Sequence, residues 1–104
     1  MRLLLALGNF EWTDQRVPGS KWGPIKPTTK FGQMPVLKGP HGRELCQSRA
    51  IARYLAKGTK VNGVSLYPED PWLAFQVDEC VDALEDVRNK IGKTFAIKDQ
   101  AEKV

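Results

Sequence analysis

Apolar and polar positions along the chain sort into short, well-punctuated elements. Residues 1–7 are Leu-rich helix formers, and Gly8-Asn9 is a typical stop, so the chain begins inside a helix. Phe10, Trp12, Thr13, Asp14, Gln15, Arg16 and Val17 then alternate loosely between apolar and polar with β-favouring types, which predicts a strand closed by Pro18-Gly19. Residues 19–30 hold Gly23, Pro24, Pro27 and Thr28-Thr29, too broken for a long element, and read as a loop with one helical turn. Such loops often carry binding residues. Met34-Pro35-Val36-Leu37 and Glu44-Leu45-Cys46 predict two short strands around the turn Gly39-Pro40-His41-Gly42, a hairpin. Ser48 is placed to cap a helix running to Lys57, with Ile51, Tyr54 and Leu55 on one face and Gly58 as its stop. Residues 58–69, rich in Gly, Ser and Pro, read as a loop. Asp70-Pro71 sets an N-cap with proline at the first helical position. Trp72, Phe75, Val77, Cys80, Val81, Leu84, Val87 and Ile91 keep helical spacing for about five turns, until Gly92 ends or weakens the helix. The tail from Lys93 is polar and helical only in part. There is no internal repeat and no low-complexity segment.

Length and composition narrow the classes. A chain of 104 residues is one small domain plus a piece, long enough for a core and too apolar for disorder. The apolar run at residues 3–7 is far shorter than a membrane span or a signal peptide's apolar region, so the expected location is the cytoplasm. Cys46 and Cys80 form no CxxC pair, and the single His41 has no metal-type spacing to either, which excludes a disulfide scaffold and a zinc module. The net charge of +4 hides three blocks. Residues 1–60 carry eleven Lys/Arg against three Asp/Glu, residues 61–87 seven acids and no base, and residues 88–104 five bases against two acids. A basic front half is the usual sign of phosphate tracking. Here its lysines and arginines are spread over turns and several elements, without a clustered run or an aromatic stacking motif. No nucleic-acid partner is therefore expected, and the basic half is either a solvated surface or the receiver of a small anionic ligand.

Two local features carry chemistry. A proline opening a strand beside a ligand-sized loop suggests a fixed, cis Met34-Pro35 bond, at which Met34 presents its backbone N–H and C=O to a bound peptide; a plain edge-strand proline is the commoner case. Gln47-Ser48 stands at a helix start, where free N–H groups and the positive end of the helix dipole favour a carboxylate; an ordinary N-cap is again commoner.

At this point the motifs Phe31-Gly32-Gln33-Met34-Pro35-Val36-Leu37, Leu45-Cys46-Gln47-Ser48-Arg49-Ala50-Ile51-Ala52-Arg53-Tyr54-Leu55 and Gln76-Val77-Asp78 leading to Val81-Asp82-Ala83-Leu84-Glu85-Asp86 resemble the glutathione transferases. Within them they resemble the sigma class, which includes glutathione-dependent prostaglandin-D synthases. The resemblance covers about nine tenths of the chain. It implies an α/β fold: a thioredoxin-like glutathione-binding domain at residues 1–58 that lacks its first strand, a linker at 59–69, and at 70–104 the first long helix of an all-α C-terminal domain. It also implies a site. The γ-glutamyl carboxylate of glutathione would sit at the helix start on Ser48 with Gln47 beside it. Met34, at the turn the family makes with a cis proline (Pro35), would pair its backbone with the cysteinyl residue, flanked by Gln33. Trp22 and Lys26 match the pair that grips the glycine carboxylate, one by its indole N–H and the other by charge.

Asp78, Asp82 and Asp86 recur every four residues with Glu85 beside them, so like charges line one helical face unless something opposes them. By the same resemblance Asp86 would reach the glutathione amine of a partner subunit in a homodimer. In the prostaglandin-D synthases acids matching Asp82, Glu85 and Asp86 gather a divalent cation, Mg or Ca, at the dimer axis; Glu85 here replaces an Asp. The 104 residues match the family only from the second half of its first helix onward. The tyrosine whose hydroxyl stabilises the glutathione thiolate is therefore not among them, and Tyr54 and Tyr67 lie in the wrong elements to replace it. The expected function is glutathione transfer to a small hydrophobic electrophile, or glutathione-dependent prostaglandin isomerisation, with this chain holding the glutathione-binding half. The alternative is a non-catalytic relative, a crystallin-like or truncated interaction module. Without the first strand, two sheet edges stay open and marginal stability is expected.

Overall fold

The computed structural model describes residues 1–95. They divide into two units between Tyr67 and Pro68. The first holds α1 (Arg2–Leu7), α2 (Gly19–Ile25), a 3-10 turn (Lys26–Thr28), the strands β1 (Val36–Lys38) and β2 (Glu44–Cys46) with a turn at Pro40–Gly42 between them, α3 (Ser48–Lys57), and the strands β3 (Lys60–Val61) and β4 (Val64–Ser65). The second is built on α4 (Pro71–Thr94).

The core of the first unit is small and comes from two helices. Leu5 of α1 and Ile51 and Leu55 of α3 are the buried apolar residues, with Met1, Leu4, Leu37 and Leu45 packed against them. Ile51 and Leu55 lie four apart and therefore share a face of α3. Leu37 and Leu45 are opposite partners in the β1–β2 ladder, which is antiparallel with Val36 facing Cys46 and Lys38 facing Glu44. The predicted hairpin forms as expected. Its turn closes through the Gly39 N–H, which donates to the Arg43 carbonyl at 2.8 Å.

Four expectations are corrected. Residues 10–17 form no strand among the described residues, whose only sheets are β1–β2 and β3–β4. An alternating pattern reports a surface that could pair, while a strand exists only where a neighbour completes its ladder. The segment is tied instead to α1 by an ion pair, Asp14 accepting from Arg2 Nε at 3.1 Å, and Asp14 also accepts from Arg16 Nε within the segment at 2.8 Å. Secondly, the broken loop is mostly helical, as α2 and the turn after it. Its end carbonyls are capped by side chains, because the Thr28 hydroxyl donates to the Ile25 carbonyl at 2.7 Å and the Thr29 hydroxyl to the Lys26 carbonyl at 2.9 Å.

Thirdly, the loop at 58–69 contains the β3–β4 hairpin. Asn62 (φ 51°) and Gly63 (φ 80°) are its two central residues, both in the left-handed region that a type I′ turn requires. The hairpin is anchored by buried Thr59, whose hydroxyl donates to the Leu55 carbonyl at 2.8 Å and whose carbonyl accepts from the Leu66 N–H at 3.0 Å. Fourthly, α4 runs through Gly92 to Thr94; one glycine costs a helix only about 1 kcal/mol. Its start is as expected: the Leu73 N–H donates to the Asp70 carboxylate at 2.9 Å. The polar tail beyond Phe95 lies outside the described residues. No residue of α4 is buried. Among the described residues no helix is long and apolar enough to cross a membrane.

Candidate functional site

Three short stretches of the first unit carry the expected ligand contacts, and local chain chemistry sets each of them. The first is Trp22 and Lys26. The Lys26 N–H donates to the Trp22 carbonyl at the end of α2, so the two side chains leave successive turns on the same side. Trp22 is half-buried and Lys26 exposed. The chain after Lys26 turns through a residue that sequence reasoning passed over. Gly32 stands in the left-handed region (φ 61°), and a Cβ there would lie 3.6 Å from Cγ and Cε of Lys26. The Gly32 N–H donates to the Thr29 carbonyl and the Thr29 N–H to the Lys26 carbonyl, both at 3.3 Å, so residues 26–32 coil back on themselves. The signal was Gly32 itself, a glycine between Phe31 and Gln33 where the chain must turn with positive φ.

The second stretch is Gln33, Met34 and Pro35, all exposed, immediately before β1. The Met34-Pro35 peptide bond is cis, as expected. Among the described residues the Met34 backbone N–H and C=O have no hydrogen-bond partner. An extended peptide could satisfy both.

The third is the start of α3. Sequence reasoning made Ser48 the cap. The structure makes Gln47 the N-cap and Ser48 the first helical residue; the Gln47 side chain makes no capping bond, and its carbonyl accepts from the Ile51 N–H at 2.9 Å. Gln47 takes φ 73°, so the chain leaves β2 and enters the helix through a left-handed residue. The result is a Ser48 hydroxyl displaced by one position from the place where it would cap its own helix. It is exposed and, among the described residues, without a hydrogen-bond partner. Beside the first-turn N–H groups and the positive end of the helix dipole, it is available to an anion.

Asp86 belongs to the second unit, exposed on α4. Asp82, Glu85 and Asp86, expected as cation ligands at a dimer axis, all lie on α4. Both carboxylate oxygens of Glu85 accept from Arg88 Nη1, at 3.1 and 3.0 Å, so its charge is already opposed by a neighbour one turn on. Among the described residues no three His, Cys, Asp or Glu side chains are grouped as metal ligands would be.

With this arrangement described, the chain was compared with known proteins. The family model described as the glutathione S-transferase N-terminal domain matches residues 4–57. The chain belongs to the glutathione S-transferase family. It is 37% identical over 97 residues to "Probable glutathione S-transferase 7" of Caenorhabditis elegans, covering 93% of this chain and 44% of that protein. It is 40% identical over 86 residues to the hematopoietic prostaglandin D synthase of Rattus norvegicus, covering 83% of this chain and 40% of the rat protein. Among solved structures, prostaglandin synthase D of Nilaparvata lugens superposes with a TM-score of 0.85 at 35% identity, over 98% of this chain and 48% of that one. The transferase fold here is accordingly the thioredoxin-like N-terminal domain with its helices and small sheets. The chain spans about half the length of the relatives it matches or less.

Proposed function

We propose that this chain is the glutathione-binding half of a glutathione transferase that conjugates reduced glutathione to a small hydrophobic electrophile, or uses it to isomerise a prostaglandin-type lipid. The observation that carries the reading is the start of α3: an exposed serine hydroxyl, uncommitted within its own helix, beside free first-turn N–H groups. A γ-glutamyl carboxylate docked there would accept from Ser48 and the helix N–H groups, with the Gln47 amide at its edge. The cysteinyl residue would lie antiparallel to Met34, giving its N–H to the Met34 carbonyl and taking the Met34 N–H on its own carbonyl. Gln33 flanks that contact. The glycine carboxylate would meet Lys26 and the Trp22 indole N–H.

These contacts bind and orient glutathione with its thiol outward, and none of them activates the sulfur. Residues 1–58 form the binding domain in this reading, residues 59–69 the linker, and α4 opens a helical second domain. In a homodimer of the full protein, Asp86 would take the glutathione amine of the other subunit.

Calorimetry tests the site. The double variant Gln47→Ala, Ser48→Ala should lose hydrogen bonds to a charged group worth about 1.5–3 kcal/mol each. Affinity for glutathione equal to that of the parent chain would refute the assignment. Glutathione binding without conjugation by the full-length protein would favour the non-catalytic relative instead.

A further inference from the structure

We infer that Asn62 is a site of spontaneous deamidation, the tip of the β3–β4 hairpin being built so that the backbone nitrogen of Gly63 can attack the Asn62 side-chain amide. The chain has three asparagines, and the structure separates them sharply. Asn9 is followed by Phe10, whose N–H is committed to the Leu5 carbonyl at 3.1 Å. Asn89 is followed by Lys90 inside the 24-residue helix α4, where the main-chain N–H belongs to the helical ladder. Asn62 alone is followed by glycine.

The nucleophile at Gly63 is unencumbered. As the second central residue of a type I′ turn, Gly63 keeps its N–H outside the bonds that close the turn. Among the described residues that N–H has no hydrogen-bond acceptor. Nothing lies within 4 Å of the place a Gly63 Cβ would occupy, and both residues are exposed. Water and a general base can therefore reach the amide proton. The attack also needs the nitrogen to swing towards Cγ of Asn62, which asks the turn to leave its left-handed conformation. Strands of two residues a side resist little, since a two-stranded hairpin is marginal by itself and local opening is cheapest where few bonds must break.

The chemistry balances with water as the only co-reactant. The Gly63 amide loses its proton to base, its nitrogen bonds to Cγ of Asn62, and the Cγ–NH2 bond breaks to release ammonia, leaving a five-membered succinimide. Water then opens the ring. Cleavage of the Cγ–N bond leaves aspartate, and cleavage at the former main-chain carbonyl leaves isoaspartate, whose main chain carries an extra methylene. Either product puts a carboxylate at the hairpin tip, two residues from Lys60. The isoaspartyl form no longer fits a two-residue turn, so the register Val61 to Val64 and the Leu66-to-Thr59 bond behind it should loosen.

The test needs no variant, because Asn9 and Asn89 are internal references. The folded chain is incubated in mildly alkaline buffer beside a sample in denaturant, then digested and analysed by peptide mass spectrometry. The expected result in the folded sample is loss of the amide at Asn62, seen as the mass gain of NH2 replaced by OH and as a resolved isoaspartate–aspartate pair, while Asn9 and Asn89 keep theirs. Asn62 retained in the folded sample overturns the inference, whether or not it converts in denaturant. Equal conversion at all three asparagines overturns it as well.

Discussion

A methyl group added at position 8 has nowhere to go. A Cβ on Gly8 would collide with the Phe10 ring and lie 2.7 Å from the Thr59 hydroxyl oxygen, the buried atom that bonds the end of α3. Gly8→Ala should therefore destabilise the chain by about 1–3 kcal/mol, the usual cost of overpacking. Gly19→Ala, with nothing within 4 Å, should cost little by comparison; denaturant unfolding of the two variants checks the contrast. The Asp14 carboxyl is held below its ordinary value of 3.8 first by the hydrogen bond from Arg16, with Arg2 adding to it. A depressed carboxyl contributes stability above its unfolded pKa and loses it as pH falls through the folded value. Carboxyl NMR should thus find Asp14 titrating below 3.8, and Arg16→Ala should raise its midpoint more than Arg2→Ala does. A midpoint unmoved by Arg16→Ala would show the contact is not populated in solution. At this scale the candidate site was named from the sequence, and Trp22, Lys26, Gln33, Met34, Pro35, Gln47 and Ser48 stand in exposed or half-exposed positions of the first unit. The left-handed turn at Gly32 was not, because it depends on how the chain coils between residues 26 and 32.

Elements with a local cause were read correctly. The β1–β2 hairpin, α3 and the proline-initiated α4 each follow from turn chemistry, spacing or a cap within their own residues. Asp70 is the clearest case, accepting from Leu73 as an N-cap should, and Asp70→Ala should cost about 0.5–2 kcal/mol of helix stability. Far-ultraviolet circular dichroism during thermal melting reads the loss; an unchanged melt would show that α4 does not need its cap. The β3–β4 hairpin was legible and was missed: Val61-Asn62-Gly63-Val64 is an Asn-Gly turn between apolar residues, hidden in a stretch that otherwise reads as a loop. The strand expected at residues 10–17 is the opposite error, since its pattern is real and its pairing is not. On the acidic face, Glu85 has an opposing charge one turn on in Arg88, a local pairing within α4.

The described residues bury little apolar surface. Leu5, Ile51 and Leu55 are the fully buried apolar side chains among the described residues, each worth about 1.5–3 kcal/mol, while Trp72, Leu84, Val87 and Ile91 of α4 are half exposed or more. The 104-residue chain should melt below about 55 °C, within or under the range of ordinary mesophile domains. A sharp calorimetric transition above that temperature would contradict the small core. Local interactions explain what the sequence alone determined: helix stops at Gly8 and Gly58, the cap at Asp70, the two-strand hairpin, and the motifs that resemble glutathione transferases all depend on residues a few positions apart. Tertiary structure decided the rest. Whether residues 10–17 pair, and whether Ser48 caps its helix or stands uncommitted at its first turn, depend on which groups the fold brings alongside. A side chain's own sequence neighbourhood carries no record of that.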